Sequence, residues 1–452
     1  MNNQKPTKNF GERIKNSVSI KIATITVLVI ILLIPMSMIK SIIKERELQR
    51  EKAIKEVSNK WAGNQTVLGP VLTIPVIYEV SPNLVPNNQV TKYIHILPEK
   101  INYKTKIEPK KLNRGIYEIV VYQSDLRTNG TFTLPDLTAY NDAKEIQLDK
   151  AFVSVGISDL KGIKNQLSLN WNGENKKIEP GSKVNFINSG ISIPINNLST
   201  IQNKILPFNM DMKLQGSQSL SFIPVGNSTK VEIESPWDSP SFFGNFLPDD
   251  REISKEGFHA NWNVLELNRN FSQVWTSDTS QDIKMKNSKF GVDLKLPMDD
   301  YQKTMRSAKY AIMTLALTFI TFFLVEVLNK RKIHPLQYIL IGAALCIFYI
   351  LLISISEHSN FNFAYLISST AVILLITLYS FSVVKKLPIS ALISFMLMII
   401  YGFVFVILQL ADYALLMGSI GLVLILGLTM FFTRNINWYT INFETSTTHE
   451  QE

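Results

Sequence analysis

The runs AIMTLALTFITFFLVEVL (Ala311–Leu328) and LQYILIGAALCIFYILLISI (Leu336–Ile355) decide the architecture. Between Ala311 and Phe432 the only acidic residues are Glu326, Glu357 and Asp412, and the bases sit in two short clusters. A membrane span needs roughly 17–25 apolar residues. Six segments meet that requirement: Ile22–Ile39, Ala311–Leu328, Leu336–Ile355, Phe361–Phe381, Leu387–Leu410 and Tyr413–Phe432. Apart from Glu326, none of them contains a charge. A core helix of a soluble protein shows a polar face at a 3.6-residue period, and these show none. The first segment is longer than the core of a cleaved signal peptide and no A-x-A site follows it, so it reads as an uncleaved signal anchor.

Lysine and arginine in the short loops set the orientation. Lys5, Lys8, Arg13, Lys15 and Lys21 precede the first span, Lys330, Arg331 and Lys332 follow the second, Lys385 and Lys386 the fourth, and Arg434 the sixth. The alternate loops, Ser356–Asn360 and Ala411–Asp412, carry no base. Six spans then place both termini in the cytoplasm and the large middle region outside it. Lys40, Lys44, Arg46 and Arg50, just beyond the first span, run against this rule. Long domains translocate with little regard to charge, so the short loops decide.

Residues 40–61 read as a charged helix continuing out of the first span, with Ile43, Leu48, Ile54, Val57 and Trp61 as an apolar stripe. Short alternating runs divided by Pro, Gly and Asn follow. Among them are Val71–Tyr78, Ile116–Gln123, Glu145–Val155, Gln166–Trp171, Ser219–Pro224, Thr229–Glu234 and Gly257–Leu267. That pattern predicts a mainly-β domain of sandwich or barrel type. The expected organisation is a cytoplasmic N-terminus (1–21), transmembrane helix 1 (22–39), a periplasmic β-rich domain (40–305), a five-helix transmembrane domain (306–432) and a cytoplasmic tail (433–452).

Of the 452 residues only 18% are charged, and the net charge of +9 comes from bases that are dispersed or flank apolar segments. That excludes a nucleic-acid-binding surface. The single cysteine, Cys346, excludes a disulfide framework, a cysteine zinc site and a CxxC redox centre. No nucleophile elbow, HExxH helix, P-loop or dinucleotide fingerprint occurs. The five histidines, His95, His259, His334, His358 and His449, are scattered. No catalytic residue, metal site or cofactor is assigned.

Candidate residues remain in both halves. Glu326, near the end of its span, is either functional because of its depth or, as the weightier reading, pairs with Lys330 one turn on. Glu357-His358 closes the third span and can relay protons or bind a cation, although an interfacial polar cap is the simpler role. His334 opens a helix ahead of Pro335, and Asp412 lies in a tight turn. In the middle region Trp61, Trp237, Phe242 and Trp262 stand at aromatic corners; packing is the plainer reading and a binding groove the sharper one.

A many-part resemblance runs through the same residues. Trp61…Gln65…Gly69-Pro70, Arg114-Gly115-Ile116-Tyr117, Ile157-Ser158-Asp159-Leu160-Lys161-Gly162 and Ser235-Pro236-Trp237 resemble the CreD family of bacterial inner-membrane proteins. So do Lys309-Tyr310-Ala311, Leu317-Thr318-Phe319, His334-Pro335-x-Gln337-Tyr338, Phe348-Tyr349-x-Leu351-Leu352 and Ser354-x-Ser356-Glu357-His358. Ala364-Tyr365, Asp412-Tyr413-Ala414-Leu415-Leu416-x-Gly418-Ser419 and Thr433-Arg434-x-x-x-Trp438-Tyr439 complete it. Lys161 stands where arginine is expected. The resemblance implies a multi-pass protein of the Gram-negative inner membrane, concerned with envelope integrity and envelope-stress tolerance and commonly produced under a sensor-kinase and response-regulator pair. The family has no settled biochemical activity, so it transfers no catalytic residue.

Three functions stay open at this stage. The leading one is a non-enzymatic envelope protein, in the lipid bilayer, whose periplasmic β domain binds another envelope protein or a cell-wall component. A transporter or flippase working through the C-terminal helices is the second, although no broken-helix pair marks a substrate path. The third is a membrane enzyme on lipid or cell-wall precursors with Glu357-His358 as acid and base.

Overall fold

The computed structural model describes residues 18–79, 89–196, 198–200, 205–277, 281–294, 300–329, 333–410 and 413–434. The chain divides into two compact units, Arg50–Pro297 on the one hand and Met1–Gln49 with Met298–Glu452 on the other. It is a membrane protein with a large β unit.

The membrane unit is built from apolar helices. Helix α1 covers Val18–Trp61 without interruption, so the first span and the charged segment after it are one 44-residue helix. A short helix α2 (Asp282–Asn287) belongs to the β unit. Helix α3 (Asp300–Lys309) falls in the membrane unit and precedes α4 (Ala311–Leu328), α5 (Pro335–Ser356), α6 (Phe361–Val384), α7 (Leu387–Gln409) and α8 (Ala414–Thr433). Among the described residues five helices are long and apolar enough to cross a bilayer; the apolar part of α8 is the shorter Leu416–Phe431. All six expected spans are helices.

Helix α1 buries Leu28, Leu32, Met36, Ile39 and Ile43, spaced by 4, 4, 3 and 4 residues, while Val27, Ile30, Ile31, Ile34 and Met38 stay exposed. The spacing keeps one stripe on one side of the helix, and the apolar exposed side suits lipid. In lipid the hydrophobic effect contributes little to helix association, so close packing and polar contacts must hold the bundle. Gly342 of α5 provides one such close approach: a Cβ there would lie 2.1 Å from Leu32 Cδ1.

Among the described residues the β unit contains eighteen strands. In chain order they are β1 (Gln65–Glu79), β2 (Gln89–Ile96), β3 (Lys100–Arg114), β4 (Tyr117–Thr133), β5 (Glu145–Ile146), β6 (Ala151–Ile157), β7 (Ser168–Trp171), β8 (Glu174–Lys177) and β9 (Glu179–Pro180). There follow β10 (Gly190–Ile195), β11 (Ile205–Ser217), β12 (Ser219–Ile223), β13 (Ser228–Ser235), β14 (Pro240–Gly244), β15 (Asp250–Ser254), β16 (Gly257–Leu265), β17 (Val274–Thr276) and β18 (Phe290–Leu294). The expected strand Glu145–Val155 is instead two, because the 3-10 turn Leu148–Lys150 separates β5 from β6. The run expected to Leu267 stops at Leu265, where a second 3-10 turn begins.

Ten strands form a sheet whose main path is β14-β18-β12-β1-β6-β10-β9, and eight form another in the order β15-β16-β13-β3-β4-β11-β7-β8. Pairing is antiparallel except for β1 with β12 and β3 with β13. Along β3, Ile101, Tyr103, Thr105 and Ile107 are buried and alternate with exposed Lys100, Asn102, Lys104 and Lys106, the signature of a sheet with one face on the core. Apolar residues of both sheets merge into one core. Full burial of each Ile or Leu there contributes about 1.5–3 kcal/mol. Two buried tyrosines also join the sheets: the Tyr103 hydroxyl donates to the Gly69 carbonyl at 2.5 Å and that of Tyr122 to the Ser219 carbonyl at 2.8 Å. Burial pushes both phenols up. Gly69 needs its lack of a side chain, since φ is +97° and a Cβ would lie 2.9 Å from the Ser154 carbonyl.

Candidate functional site

The end of α1 meets the β unit's own strands at a hydrogen-bonded junction. The last carbonyls of any helix lack partners within the helix. Here the Gln215 Nε2 group donates to the Trp61 carbonyl at 2.6 Å and the Lys161 ammonium to the Asn59 carbonyl at 2.6 Å. Gln65, wholly buried, holds the centre. Its Nε2 donates to the carbonyls of Asp159 (2.9 Å) and Gln215 (3.0 Å), and its Oε1 accepts from Ser158 Oγ and Asp159 N–H, both at 3.2 Å. Gly162 touches the same amide: a Cβ there would lie 2.3 Å from Gln65 Nε2. The separated motifs around Trp61-Gln65 and Ser158-Gly162 are therefore one structure. Arg114 reaches it too, bonding Glu56 at 3.0 Å; Lys60 and then Arg114 hold the Glu56 carboxyl below its usual range.

The aromatic corners pack. Trp262 is 2% exposed and its indole donates to the Phe246 carbonyl at 3.2 Å. Phe242 meets it edge-on at 5.6 Å and meets Phe258 at 5.7 Å. Trp237 is half-buried against the core, its indole donating to the Ser239 carbonyl at 3.2 Å. Trp61 is half-buried as well. Trp262 thus lies beneath the surface, while Trp61, Trp237 and Phe242 keep part of their area open.

A separate hollow of about 290 Å³ is lined by Tyr93, His95, Phe186, Trp275, Ser277 and Asp282 among others. His95 shares a hydrogen bond with Thr73 through Nδ1 at 3.0 Å, and its ring lies 5.1 Å from that of Trp275 and 5.0 Å from that of Phe186. Burial pulls its pKa down to about 4, so the imidazole is neutral at physiological pH. Sequence gave no sign of this group, because His95, Phe186 and Trp275 are far apart along the chain.

In the membrane unit Glu326 has no solvent exposure. It accepts from the Ile333 N–H at 2.9 Å and the Tyr338 hydroxyl at 3.0 Å, and it is in ion contact with Lys21 of α1. Lys330, its expected partner, lies outside the described residues. Glu357 is met by Arg46 of α1 at 3.5 Å, and His358 beside it is exposed. Lys21 and Arg46 are 25 positions apart, about 37 Å of helix at a 1.5 Å rise, a little more than a hydrocarbon core of about 30 Å. One helix therefore carries a base to an acid at each end of its span. His334 caps α5: Nδ1 accepts from the Leu336 N–H at 3.2 Å, and Gln337 Oε1 accepts from the His334 N–H at 2.9 Å. Asp412 lies outside the described residues. Between these levels Phe348, Tyr349, Tyr365 and Tyr401 form an aromatic cluster, with Phe348 4.8 Å from Tyr349, 5.3 Å from Tyr365 and 4.8 Å from Tyr401. Among the described residues no group of three His, Cys, Asp or Glu side chains could hold a metal ion.

A curated relative, the inner membrane protein CreD of Escherichia coli, is 34% identical over 420 residues, which is 92% of each chain. Among solved structures, an M1 zinc metallopeptidase variant from Deinococcus radiodurans aligns at 7% identity and a TM-score of 0.18, over 37% of this chain and 39% of that one. Yeast LTA4 hydrolase aligns at 8% identity and a TM-score of 0.18, over 50% of this chain and 35% of that one. Likeness at that level carries no argument about fold or chemistry. The family model for the inner membrane protein CreD matches residues 17–439, and the chain belongs to that family.

Proposed function

We propose that this protein supports cell-envelope integrity and envelope-stress tolerance from the inner membrane, with both termini cytoplasmic and its β unit in the periplasm, where that unit binds another envelope component. The observation that carries this reading is the engagement of Glu326 and Glu357 by Lys21 and Arg46. Both membrane carboxylates hold α1 in the bundle, which favours a structural membrane half over a proton relay or substrate path. The two-sheet unit then offers the working surface, and the loop charges favour placing it outside the cytoplasm.

Complementation of a deletion strain under envelope stress tests this, with membrane abundance followed for every variant. Trp237→Ala and Phe242→Ala are expected to reduce tolerance at normal abundance, whereas Glu326→Gln and Glu357→Gln act only as far as they lower abundance. Loss of tolerance confined to the carboxylate variants, at full abundance, would move the function to the helices. A cysteine placed at exposed Lys111 and probed with an impermeant maleimide reads the orientation independently.

A further inference from the structure

The outer face of the eight-stranded sheet carries a row of asparagines at one level. Backbone register pairs Asn102 with Asn129, Asn129 with Asn209, Asn209 with Asn170 and Asn170 with Asn175, one residue from each of the neighbouring strands β3, β4, β11, β7 and β8. In the other direction the row continues through Lys230 of β13 to Asn263 of β16. Chain neighbours such as Tyr103, Thr128, Phe208 and Trp171 are buried, so the row faces away from the core. Asn102, Asn129, Asn209 and Asn175 are exposed and Asn170 half-buried.

Strands disfavour asparagine, so sheet stability does not account for five in succession across five strands. The amides are also only partly used. Asn102 donates to Asn129 at 3.0 Å, and Asn170 donates to Asn175 at 3.2 Å while accepting from the Gly173 N–H of the same hairpin at 3.2 Å. Between these pairs the Asn209 side chain makes no hydrogen bond among the described residues. Each amide offers an acceptor and two donors without charge. The adjacent row, Glu232, Lys104, Arg127 and Asp211, is balanced between two acids and two bases. The five amides are themselves uncharged, with Lys230 as the one base along their row, and beside the balanced row they suit a neutral polyhydroxyl or acetamido chain better than a polyanion. Its rungs repeat at the strand spacing of about 4.8 Å, close to the rise of one sugar in an extended β-1,4-linked glycan.

We propose that this row is a binding strip for an extended β-1,4-linked glycan of the N-acetylhexosamine class, laid across the strands with one sugar to each amide. It deepens the envelope reading above and rests on it for where such a glycan is met. Neutral amides in contact with water hold each sugar weakly, so binding depends on several rungs acting together.

Full-length protein in nanodiscs, titrated with β-1,4-linked N-acetylglucosamine oligomers of one, three and six sugars, tests the strip. The hexamer is expected to bind at least about tenfold more tightly than the trimer, with no measurable binding of the monomer. The variant N129T/N209T is expected to lose about tenfold or more for the hexamer while keeping its unfolding transition, since threonine favours strands. Absence of hexamer binding, binding independent of length, or equal binding by wild type and variant overturns the proposal. The envelope reading is judged separately, by stress complementation with the same variant. Wild-type protein that complements without binding glycan overturns the strip and leaves that reading standing. Binding lost with tolerance intact supports the strip and removes it from the envelope role.

Discussion

Lys21 and Glu326 meet across helices α1 and α4 although the acid has no solvent exposure and the two residues lie 305 positions apart in the chain. The carboxylate's other bonds, to the Ile333 N–H and the Tyr338 hydroxyl, are of the kind a neutral amide accepts as well. Its charge is therefore matched by Lys21. Removing one partner of a buried pair leaves the other charge uncompensated, at about 3 kcal/mol, whereas removing both is often neutral. Lys21→Met and Glu326→Gln should each lower thermal stability in detergent, and K21M/E326Q should recover most of the loss. Additive losses in the double variant would show that the two charges are not coupled.

Gln65 and Gly162 give a sharper test of the junction below α1. An added methyl at residue 162 must displace the Gln65 amide and the Gln215 carbonyl, 2.3 and 2.4 Å away, and overpacking of this kind costs about 1–3 kcal/mol. Gly162→Ala and Gln65→Leu should both destabilise the β unit and raise proteolysis near Trp61. Their effects should not add, because each breaks the same network. Limited proteolysis of the two single variants and the double variant reads this directly.

His334 is assigned to capping instead of chemistry, which predicts an unusual tolerance. Loss of an N-cap side chain costs about 1 kcal/mol, so His334→Ala should lower the melting temperature slightly. His334→Asn, which restores an acceptor at the same place, should bring it back. A residue needed for proton transfer would fail with either substitution, and a stress assay beside the melting curve separates the two.

The membrane helices were legible because lipid demands one long apolar run from each, a demand met locally in sequence. Their ties were not. Lys21, Arg46, Glu326 and Glu357 stand out as charges near spans, but nothing local says which base reaches which acid. Arg46 even counted against the inferred orientation, while the structure uses it as a partner for Glu357. In the β unit, Lys100–Arg114 alternates fully from Lys100 to Ile107 yet falls outside the expected strands, its many lysines masking a buried face of Ile101, Tyr103 and Ile107. The strand anticipated as Ile116–Gln123 runs on to Thr133 because its second half is paired on both sides, by β3 and β11. Register is likewise what makes the asparagine row: no two of its members are close enough in sequence to suggest it, apart from Asn170 and Asn175 across their hairpin.

His95 links the β unit's stability to pH. Buried against Trp275 and Phe186, it keeps a pKa of about 4 instead of 6.5, so between those values the unfolded chain binds a proton that the folded one refuses. The sign follows: the contribution is fully present above pH 6.5, falls as pH drops through that interval, and is lost below about pH 4. At 1.36 kcal/mol per pKa unit the full loss is about 3 kcal/mol. Unfolding followed by tryptophan fluorescence at pH 7.5, 5.5 and 4.5 should show a progressive decline that His95→Gln flattens, since glutamine can still meet the Thr73 hydroxyl but takes up no proton. An unchanged slope in that variant would assign the acid sensitivity to carboxylates such as Glu232, held low chiefly by its hydrogen bond from Lys104, whose stabilisation is present above the ordinary carboxylate range and is lost at still lower pH.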